Sequence, residues 1–586
     1  MTDTYLKKAK TPEESVSISP DGETFPLPKE GGYPDEWDRL QKLVAEQRLL
    51  GREIVVVLGL GFVGAVMAGV IADSVEKGNG RPTKFVIGMQ RPSPRSYWKI
   101  PYINRGIPPV ESEDKEVAPL IHRCVREKKT LTATFTYDAL SLADVVVVDV
   151  QCDYHKDAFG NLKHGRAEIA ALEESLKIIG EKIKPECLVL IETTVPPGTT
   201  EYIAYPILKR AFERRGLTGE VSNSQSSILT SDSSIGNRQS AIVNSVEPLL
   251  AHSFERVMPG KNYVSSIRDF WRVCSGVNET ARERVRKFLS EVLNVDEYPL
   301  TVLERPIESE TCKIIENSYR ATILAFLHEW SVFAERNGVD IIKVIEAIKV
   351  RPTHSNIIFP GPGIGGYCLP KDGGLGVWSY QTLMGFEDDI FHITPLAINT
   401  NDTRAIHAAQ TVRDALRNMG KIVAACNIAV LGASYREDVG DTRYSGSEIL
   451  VRKLTEMGAE VSVHDPYVKH WWEFEKQDSY PQTGHSIGRF FRNQEKLKDL
   501  RVHHDLKKAL TGADAVVLAV RHQPYLALDP DEVVEMAGRP VAIVDCFGIL
   551  DDTRIRRYFE LGCEVKGLGR GHIQRIKESV RSHSTV

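Results

Sequence analysis

The stretch IVVVLGLGFVGAVMAGVIA, residues 54–72, decides how the rest of the chain is read. Its nineteen residues carry no charge, enough to pass a length test for a membrane-crossing helix. Its internal order predicts something else. Ile54–Leu58 is a short, mostly β-branched run, Gly59-Leu60-Gly61-Phe62-Val63-Gly64 interrupts it, and small apolar residues continue to Ala72. That order reads as a buried parallel strand, a tight turn and a helix packed on a sheet. In such a turn the first glycine bends the chain, the second lets a pyrophosphate approach, and the third allows helix and strand to touch. The helix N-terminus adds partial positive charge, so the motif points to a dinucleotide.

Working outward, strands and helices keep alternating. Strands are expected at Phe85–Met89, Leu131–Phe135, Val145–Val150 and Cys187–Glu192, with helices over Lys115–Lys129, Arg166–Lys184 and Thr199–Arg215. This alternation predicts a doubly wound parallel sheet. Helices dominate from Glu279 to about Met419, the longest from about Ile307 to Asn337. Alternation then resumes with Asn427–Gly432, a helix from Gly446, Val461–His464, Ala515–Val520 and Val541–Asp545. The division expected is an N-terminal extension (1–50), a dinucleotide-binding domain (51–265), a central helical domain (266–420), a second α/β domain (421–570) and a polar tail (571–586) that reads as a frayed end. The extension has a weak helical pattern only near Trp37–Leu50. The Ser-rich segment 222–240 reads as a loop or insertion, and the stretch 466–500, with Trp471, Trp472 and Phe474, has no assignable pattern.

Composition narrows the function. The 586 residues hold 74 Lys+Arg against 79 Asp+Glu, a net charge of −5, which argues against nucleic-acid binding driven by bulk charge. With 42% hydrophobic residues the chain can bury large cores. Nine scattered cysteines without a CxxC fit neither a disulfide framework nor a zinc ribbon, so no metal is expected and the reducing cytosol is the expected compartment. The start, MTDTYLKKAKTPEESV, has no apolar core after its basic residues, so no secretory signal is expected.

Two further places bear on chemistry. The strand after the glycine turn ends FVIGMQRP, placing Gln90 where an acidic residue usually binds the adenosine ribose, with Arg91 beside it. Gln90 can still bond a hydroxyl and Arg91 can meet a 2′-phosphate, so either NAD is held less tightly or NADP is accepted. The loop Gly361-Pro-Gly-Ile-Gly-Gly-Tyr-Cys368-Leu-Pro-Lys371-Asp372 sets a cysteine among backbone breakers, beside a lysine and an aspartate. Glycines there expose amides and leave room for a ligand, and neighbouring charge stabilises a thiolate, the reactive form. The other cysteines read as core fillers. Lys313 and Asn317, four apart, share one face of the longest predicted helix.

GLGFVG, TTVPPGT (193–199), FERVMPG (254–260), ETCKIIENSYRAT (310–322), GPGIGGYCLPKD (361–372), DTRYSGS (441–447) and VHDPY (463–467) stand in one order. Together they resemble the UDP-glucose/GDP-mannose dehydrogenase family over roughly residues 51–570. The resemblance implies two Rossmann-like domains joined by a helical region with one long central helix, in a homodimer or larger. It implies a four-electron oxidation of a UDP-sugar C6 alcohol to a carboxylate with two NAD. Carried over by motif, Cys368 resembles the covalent nucleophile. Lys313, Asn317 and Asp372 resemble the polar groups around the reacting oxygen, and Thr194 and Glu255 those near the water and base. Gly59, Gly61, Phe62, Val63, Gly64, Gln90, Arg91 and Thr194 fall on the cofactor side. Arg256 and Gly365 fall on the substrate side with Glu255, Lys313 and Asn317, and Arg443 resembles an arginine that reaches a substrate bound by the partner subunit. The ERVMPG form leans toward the branch acting on UDP-N-acetylhexosamines.

The chain departs from the family at Gln90 and at Val150-Gln151-Cys152-Asp153, where a V-P-T-P-like turn is usual. Two other readings stand beside the first, and these departures motivate the second of them. One is a single-step β-hydroxyacid-type dehydrogenase, which has no need of Cys368. The other is a non-catalytic member that binds nucleotide sugar or dinucleotide without turnover.

Overall fold

The computed structural model describes residues 16–217, 246–258, 260–475 and 490–583. The Ser-rich segment 222–240 lies outside the described residues. The chain forms two compact units, one of Met1–Cys152 with Ile169–Thr311, the other of Asp153–Glu168 with Cys312–Val586.

In the first unit, β1 (Val16–Ile18) and β2 (Thr24–Pro26) pair antiparallel and lead into the helix Gly32–Leu49. Then come β3 (Glu53–Leu58), β4 (Lys84–Met89), β5 (Leu131–Thr134) and β6 (Val145–Val148). β7 (Asp153–His155) and β8 (Arg166–Glu168), an antiparallel pair, belong to the second unit. β9 (Leu188–Ile191), β10 (Leu249–Phe254), β11 (Val273–Gly276) and β12 (Thr301–Val302) complete an eight-stranded sheet of order β12-β11-β10-β9-β6-β3-β4-β5. Its strands run parallel except at the β10–β11 pair. Alternate residues of β3 feed opposite cores: Val55 and Val57 face one, Ile54, Val56 and Leu58 the other. Burial on both faces is why this strand reads as an unbroken apolar run. The helix after it, Phe62–Asp73, has 12 residues, about 18 Å at 1.5 Å per residue and too short for a bilayer. Among the described residues no helix is long and apolar enough to cross a membrane.

The second unit holds β13 (Asn427–Leu431), β14 (Glu460–His464), β15 (Val502–His503), β16 (Ala515–Leu518), β17 (Ala542–Asp545) and β18 (Glu564–Gly567), an all-parallel sheet of order β15-β14-β13-β16-β17-β18. Here too the neighbours of one strand split between two cores, Ile428 and Val430 against Ala429 and Leu431. The long helix spans Pro306–Arg336; its start is fixed by proline in the first turn and by Glu308, whose carboxylate accepts the Glu304 and Arg305 N–H groups at 2.9 Å. The fold is therefore the expected one, two Rossmann-like sheets and a helical region with one long helix.

Several expected elements differ. Arg166–Glu168 begins no helix; it pairs with Asp153–His155, and the helix runs over Ala170–Lys182. β10 escapes a hydropathy reading because LLAHSF buries a histidine and a serine, which it can do since His252 Nδ1 meets Ser309 Oγ at 2.7 Å. The tail is not frayed through residue 583: the helix Ile573–His583 buries Ile573, and Lys577 pairs with Glu564 of β18. In the unassigned stretch, Trp471 just before a short helix, Trp472–Glu475, and Phe474 within it are core residues, while residues 476–489 lie outside the described ones.

Candidate active site

In the first unit, the strand order reverses between β3 and β6, the place where an open α/β sheet leaves a crevice for a ligand. The glycine turn stands there, and its three glycines differ in what surrounds them. Gly59 has φ +104, and a Cβ on it or on Gly64 would run into the Asp149 segment after β6. A Cβ on Gly61 would meet nothing within 4 Å, so the backbone is open at that point. Phe62 and Val63 begin the helix behind it. The turn thus fits a dinucleotide phosphate.

Gln90 does reach this turn: its Oε1 accepts the Leu60 N–H at 3.0 Å. Arg91 is exposed, with Glu174 4.0 Å away. A residue the motif reading missed lies nine positions beyond Gln90. Lys99, half-buried, donates from Nζ to the Leu60 carbonyl at 3.0 Å, and desolvation lowers its pKa to about 8 although Asp149 pulls the other way. Asp149, just after β6, has an enclosed Oδ2, and desolvation, with Glu192 and Glu255 nearby, holds its carboxyl well above the carboxylate range. Glu192 is fully buried and ion-paired with Arg272; burial raises it and the guanidinium opposes that. Glu255 and Arg256 follow β10: Glu255 Oε2 accepts the Val257 N–H at 2.5 Å, and Arg256 donates to the Trp271 carbonyl at 2.6 Å. Pro259 of the same motif is outside the described residues.

Thr194 sits half-buried in the loop after β9. That loop is tied down by Glu310, whose carboxylate accepts the Gly198 N–H at 2.5 Å, the Thr200 N–H at 2.8 Å and the Thr200 hydroxyl at 2.6 Å. Burial raises the Glu310 pKa to about 7 against those three donors. Nothing in the spacing of ETCKIIEN singles this glutamate out; its role depends on a loop 110 residues away.

In the second unit, the cysteine loop leads into the helix Asp372–Trp378. The Cys368 carbonyl accepts the Lys371 and Asp372 N–H groups at 3.1 and 2.9 Å, which leaves the half-buried thiol at the head of a tight turn. Asp372 is completely buried and takes two donors, Lys371 Nζ at 2.8 Å and Asn317 Nδ2 at 2.8 Å. Asn317 of the long helix therefore does face the cysteine loop. Lys313, one turn earlier on the same face, is buried as well. Desolvation of Lys371 works against its charge, but Asp372, Asp153 and Cys368 outweigh it and raise its pKa, so the ammonium persists. Its Nζ also lies 4.2 Å from the Tyr367 ring centroid. Asp153, the last residue of the atypical 150–153 segment, thus joins the charges around the thiol's neighbour. Motif reading gave it no role.

The loop's glycines serve packing as much as openness. Cβ atoms on Gly363 and Gly365 would strike Gly446 and the Tyr435–Tyr444 segment, and Gly366, at φ +86, donates its N–H to the Arg443 carbonyl at 2.9 Å. Arg443 is clamped by Asp441 at 2.6 Å and lies 5.4 Å over the Tyr367 ring. Behind it, Asp465 after β14 accepts the Ala433 N–H at 2.7 Å and approaches His522 Nε2 at 3.0 Å, which orders the loop that follows β13. Cys124, Cys152, Cys187, Cys274, Cys426, Cys546 and Cys563 are buried, as core fillers should be, whereas Cys312, on the long helix, is half-buried and departs from that reading.

The chain matches three domain families: the UDP-glucose/GDP-mannose dehydrogenase NAD binding domain over residues 53–228, the central domain over 307–401 and the UDP binding domain over 429–552. Among curated relatives, a UDP-N-acetyl-D-mannosamine dehydrogenase of Pyrococcus horikoshii is 25% identical over 522 residues, 89% of this chain and 100% of that one. One of Campylobacter jejuni is 23% identical, covering 82% of this chain and 98% of its own. Among solved structures, an NDP-N-acetyl-D-galactosaminuronic acid dehydrogenase from Methanosarcina mazei Go1 superposes with TM-score 0.66 at 26% identity, over 91% of this chain and 98% of that one. The Pyrococcus horikoshii UDP-D-ManNAc dehydrogenase gives TM-score 0.66 at 24% identity, over 89% of this chain and all of its own.

Proposed function

The chain belongs to the UDP-glucose/GDP-mannose dehydrogenase family of NAD-dependent nucleotide-sugar dehydrogenases, and from that premise we propose that it oxidises the C6 alcohol of a UDP-N-acetylhexosamine to the carboxylate in two steps through Cys368. The observation that carries the proposal is the buried contact of Asn317 with Asp372, which joins the long helix to the cysteine loop. Gly59, Gly61, Gly64, Gln90 and Lys99 would hold the dinucleotide, which would supply a hydride acceptor for C6 at each step, while an ordered water takes the proton of the C6 hydroxyl in the first.

The chain's own residues do the rest. Cys368, beside the Lys371 ammonium, adds as thiolate to the C6 aldehyde left by the first oxidation, forming a carbon–sulfur bond and a thiohemiacetal. Lys313 and Asn317 donate to the C6 oxygen as it gathers negative charge, a kind of stabilisation worth about 3 kcal/mol per donor elsewhere. After the second oxidation the adduct is a thioester. Glu255, with Thr194 orienting it, takes a proton from water; the oxygen adds to the carbonyl and the thiolate leaves. Arg256, Gly365 and Arg443 would bind the nucleotide sugar. A second copy of the chain would cover the exposed stripe Ile315, Tyr319, Phe326, Trp330 and Phe333 of the long helix, giving the homodimer or larger assembly expected.

The test is purified protein with UDP-GlcNAc, UDP-ManNAc or UDP-Glc, each with NAD or NADP, and mass analysis of the product. Two cofactors reduced per acid supports the proposal. One cofactor and a free keto product supports the single-step reading, and no turnover with any pair supports the non-catalytic one.

Two predictions concern the cofactor side. Because the Lys99 ammonium is charged below about 8 and neutral above it, kcat/KM for the dinucleotide should be level below that pH and fall beyond it. Lys99→Arg should move the bend out of the measurable range; a bend that persists in that variant assigns it to another group. Gln90→Asp keeps an acceptor for the Leu60 N–H while adding negative charge at the ribose, so NADP should lose about tenfold relative to NAD. An unchanged ratio of the two kcat/KM values places Gln90 away from the 2′ position.

A further inference from the structure

The N-terminal extension is not idle. Its hairpin, β1 and β2, contacts the segment Trp98–Arg105 that delivers Lys99 to the glycine turn, while its helix Gly32–Leu49 lies against β5 and the sheet core. The Ser17 hydroxyl, fully buried, accepts the N–H of Trp98 at 3.1 Å, the residue just before the helix Lys99–Arg105. Tyr102 in that helix donates to Ser19 Oγ at 2.9 Å, a second buried polar pair. At the helix end Arg105 grips both oxygens of Glu23, at 3.0 and 2.9 Å, and stacks over Phe25 at 5.3 Å. Farther along, Glu36 accepts from the Thr134 hydroxyl at 2.6 Å, and Arg39 donates to Thr132 Oγ1 and the Ala133 carbonyl at 3.2 Å. Thr132, Ala133 and Thr134 belong to β5, the edge strand. Asn104 seats the same helix on that strand, accepting the Ala133 N–H at 2.7 Å.

The helix Lys99–Arg105 is thus held on its outer side by the extension, while Lys99 projects its amine to the Leu60 carbonyl. It is only seven residues long, and helices that short do not hold their own geometry in water. The segment leading to it contains two prolines, Pro92 and Pro94, and no strand. What fixes the Lys99 amine therefore comes from outside the helix. We propose that the extension is a positioning element for Lys99 and so sets dinucleotide affinity, resting on the reading that a dinucleotide binds at the glycine turn. Covering the β5 edge would by itself explain the Glu36 and Arg39 contacts. It does not explain Ser17 and Ser19, whose bonds go to Trp98 and Tyr102 instead of the strand.

The full chain carrying Ser17→Ala with Ser19→Ala tests this, with Glu23→Gln as a milder, exposed alternative should the double variant fold poorly. Dissociation constants for NAD and NADP are measured by calorimetry, and kcat and KM with the best sugar. The double variant should bind dinucleotide about five- to tenfold more weakly, with kcat at saturation and KM for the sugar unchanged. In a Lys99→Met background the same substitutions should add no further loss. Undiminished dinucleotide affinity in the clamp variants overturns the inference. So does an equal loss with and without Lys99, which marks a merely structural role. Failure of the unaltered chain to bind either dinucleotide overturns instead the reading on which the inference stands.

Discussion

With Cys368→Ser, formation of the sugar acid should fall by about ten-thousandfold, in line with the loss of a catalytic nucleophile elsewhere. The reason lies in the two halves of the reaction. A serine hydroxyl is hardly ionised at neutral pH, so it adds to an aldehyde slowly, and the resulting ester has a poorer leaving group than a thioester. Cys368→Ala should go further, leaving the aldehyde as the end point with one cofactor reduced per sugar. Neither variant should unfold the protein, because the thiol is half-buried and the turn is held by the Cys368 carbonyl, not by its sulfur. Cys312, the other half-buried thiol, serves as control, and Cys312→Ser should retain turnover. Quenching the unaltered enzyme with one sugar and limiting cofactor should leave mass on a peptide containing Cys368. Acid production by the serine variant above a tenth of the parent rate would remove the covalent scheme, and aldehyde chemistry would have to proceed on a bound hydrate.

What was legible beforehand follows the range over which each signal acts. The glycine turn and the two series of alternating elements are local: a buried strand shows itself by consecutive apolar residues, and Gly59, Gly61 and Gly64 each answer to atoms the fold must bring close. Gln90 is locatable because it directly follows β4, the strand paired with β3, and its bond to the Leu60 N–H follows from that position. Lys99 is not, because an irregular proline-containing segment separates it from any periodic element. Ser17 and Ser19 look like ordinary polar residues until Trp98 and Tyr102, 81 and 83 positions away, make their hydroxyls necessary. Asp153 illustrates the same limit. Its strand, β7, sits in the second unit although its neighbours in sequence lie in the first, and only that placement puts its charge near Lys371. The tail helix was missed for a different reason. Ile573 is one of few apolar residues in a basic stretch, and its burial depends on a sheet core formed elsewhere in the chain.

Asp372→Ala should cost about 3–5 kcal/mol in the stability of the second unit, the range for stripping one partner from a buried ion pair. Its carboxylate is fully buried and accepts from Lys371 and Asn317, so its loss leaves an ammonium and an amide donor facing each other across a small cavity. Asp153 offsets part of the orphaned charge, which sets the expectation nearer the lower end. Asp372→Asn keeps the volume but presents a donor to one of two donors, so it should fall between the parent and the alanine variant. The informative variant removes both charges. Lys371→Met with Asp372→Leu fills similar volume without burying an ion, and it should recover most of the stability that Asp372→Ala loses. Activity should not return with it. The thiolate of Cys368 would lack its neighbouring cation, and Asn317 would lack the acceptor that aims it. Chemical denaturation and turnover of the same four proteins therefore separate what the pair does for the fold from what it does for the reaction. If the doubly apolar protein oxidises sugar at the parent rate, the pair is architecture alone, and activation of the thiol must come from Lys313 or from the substrate itself.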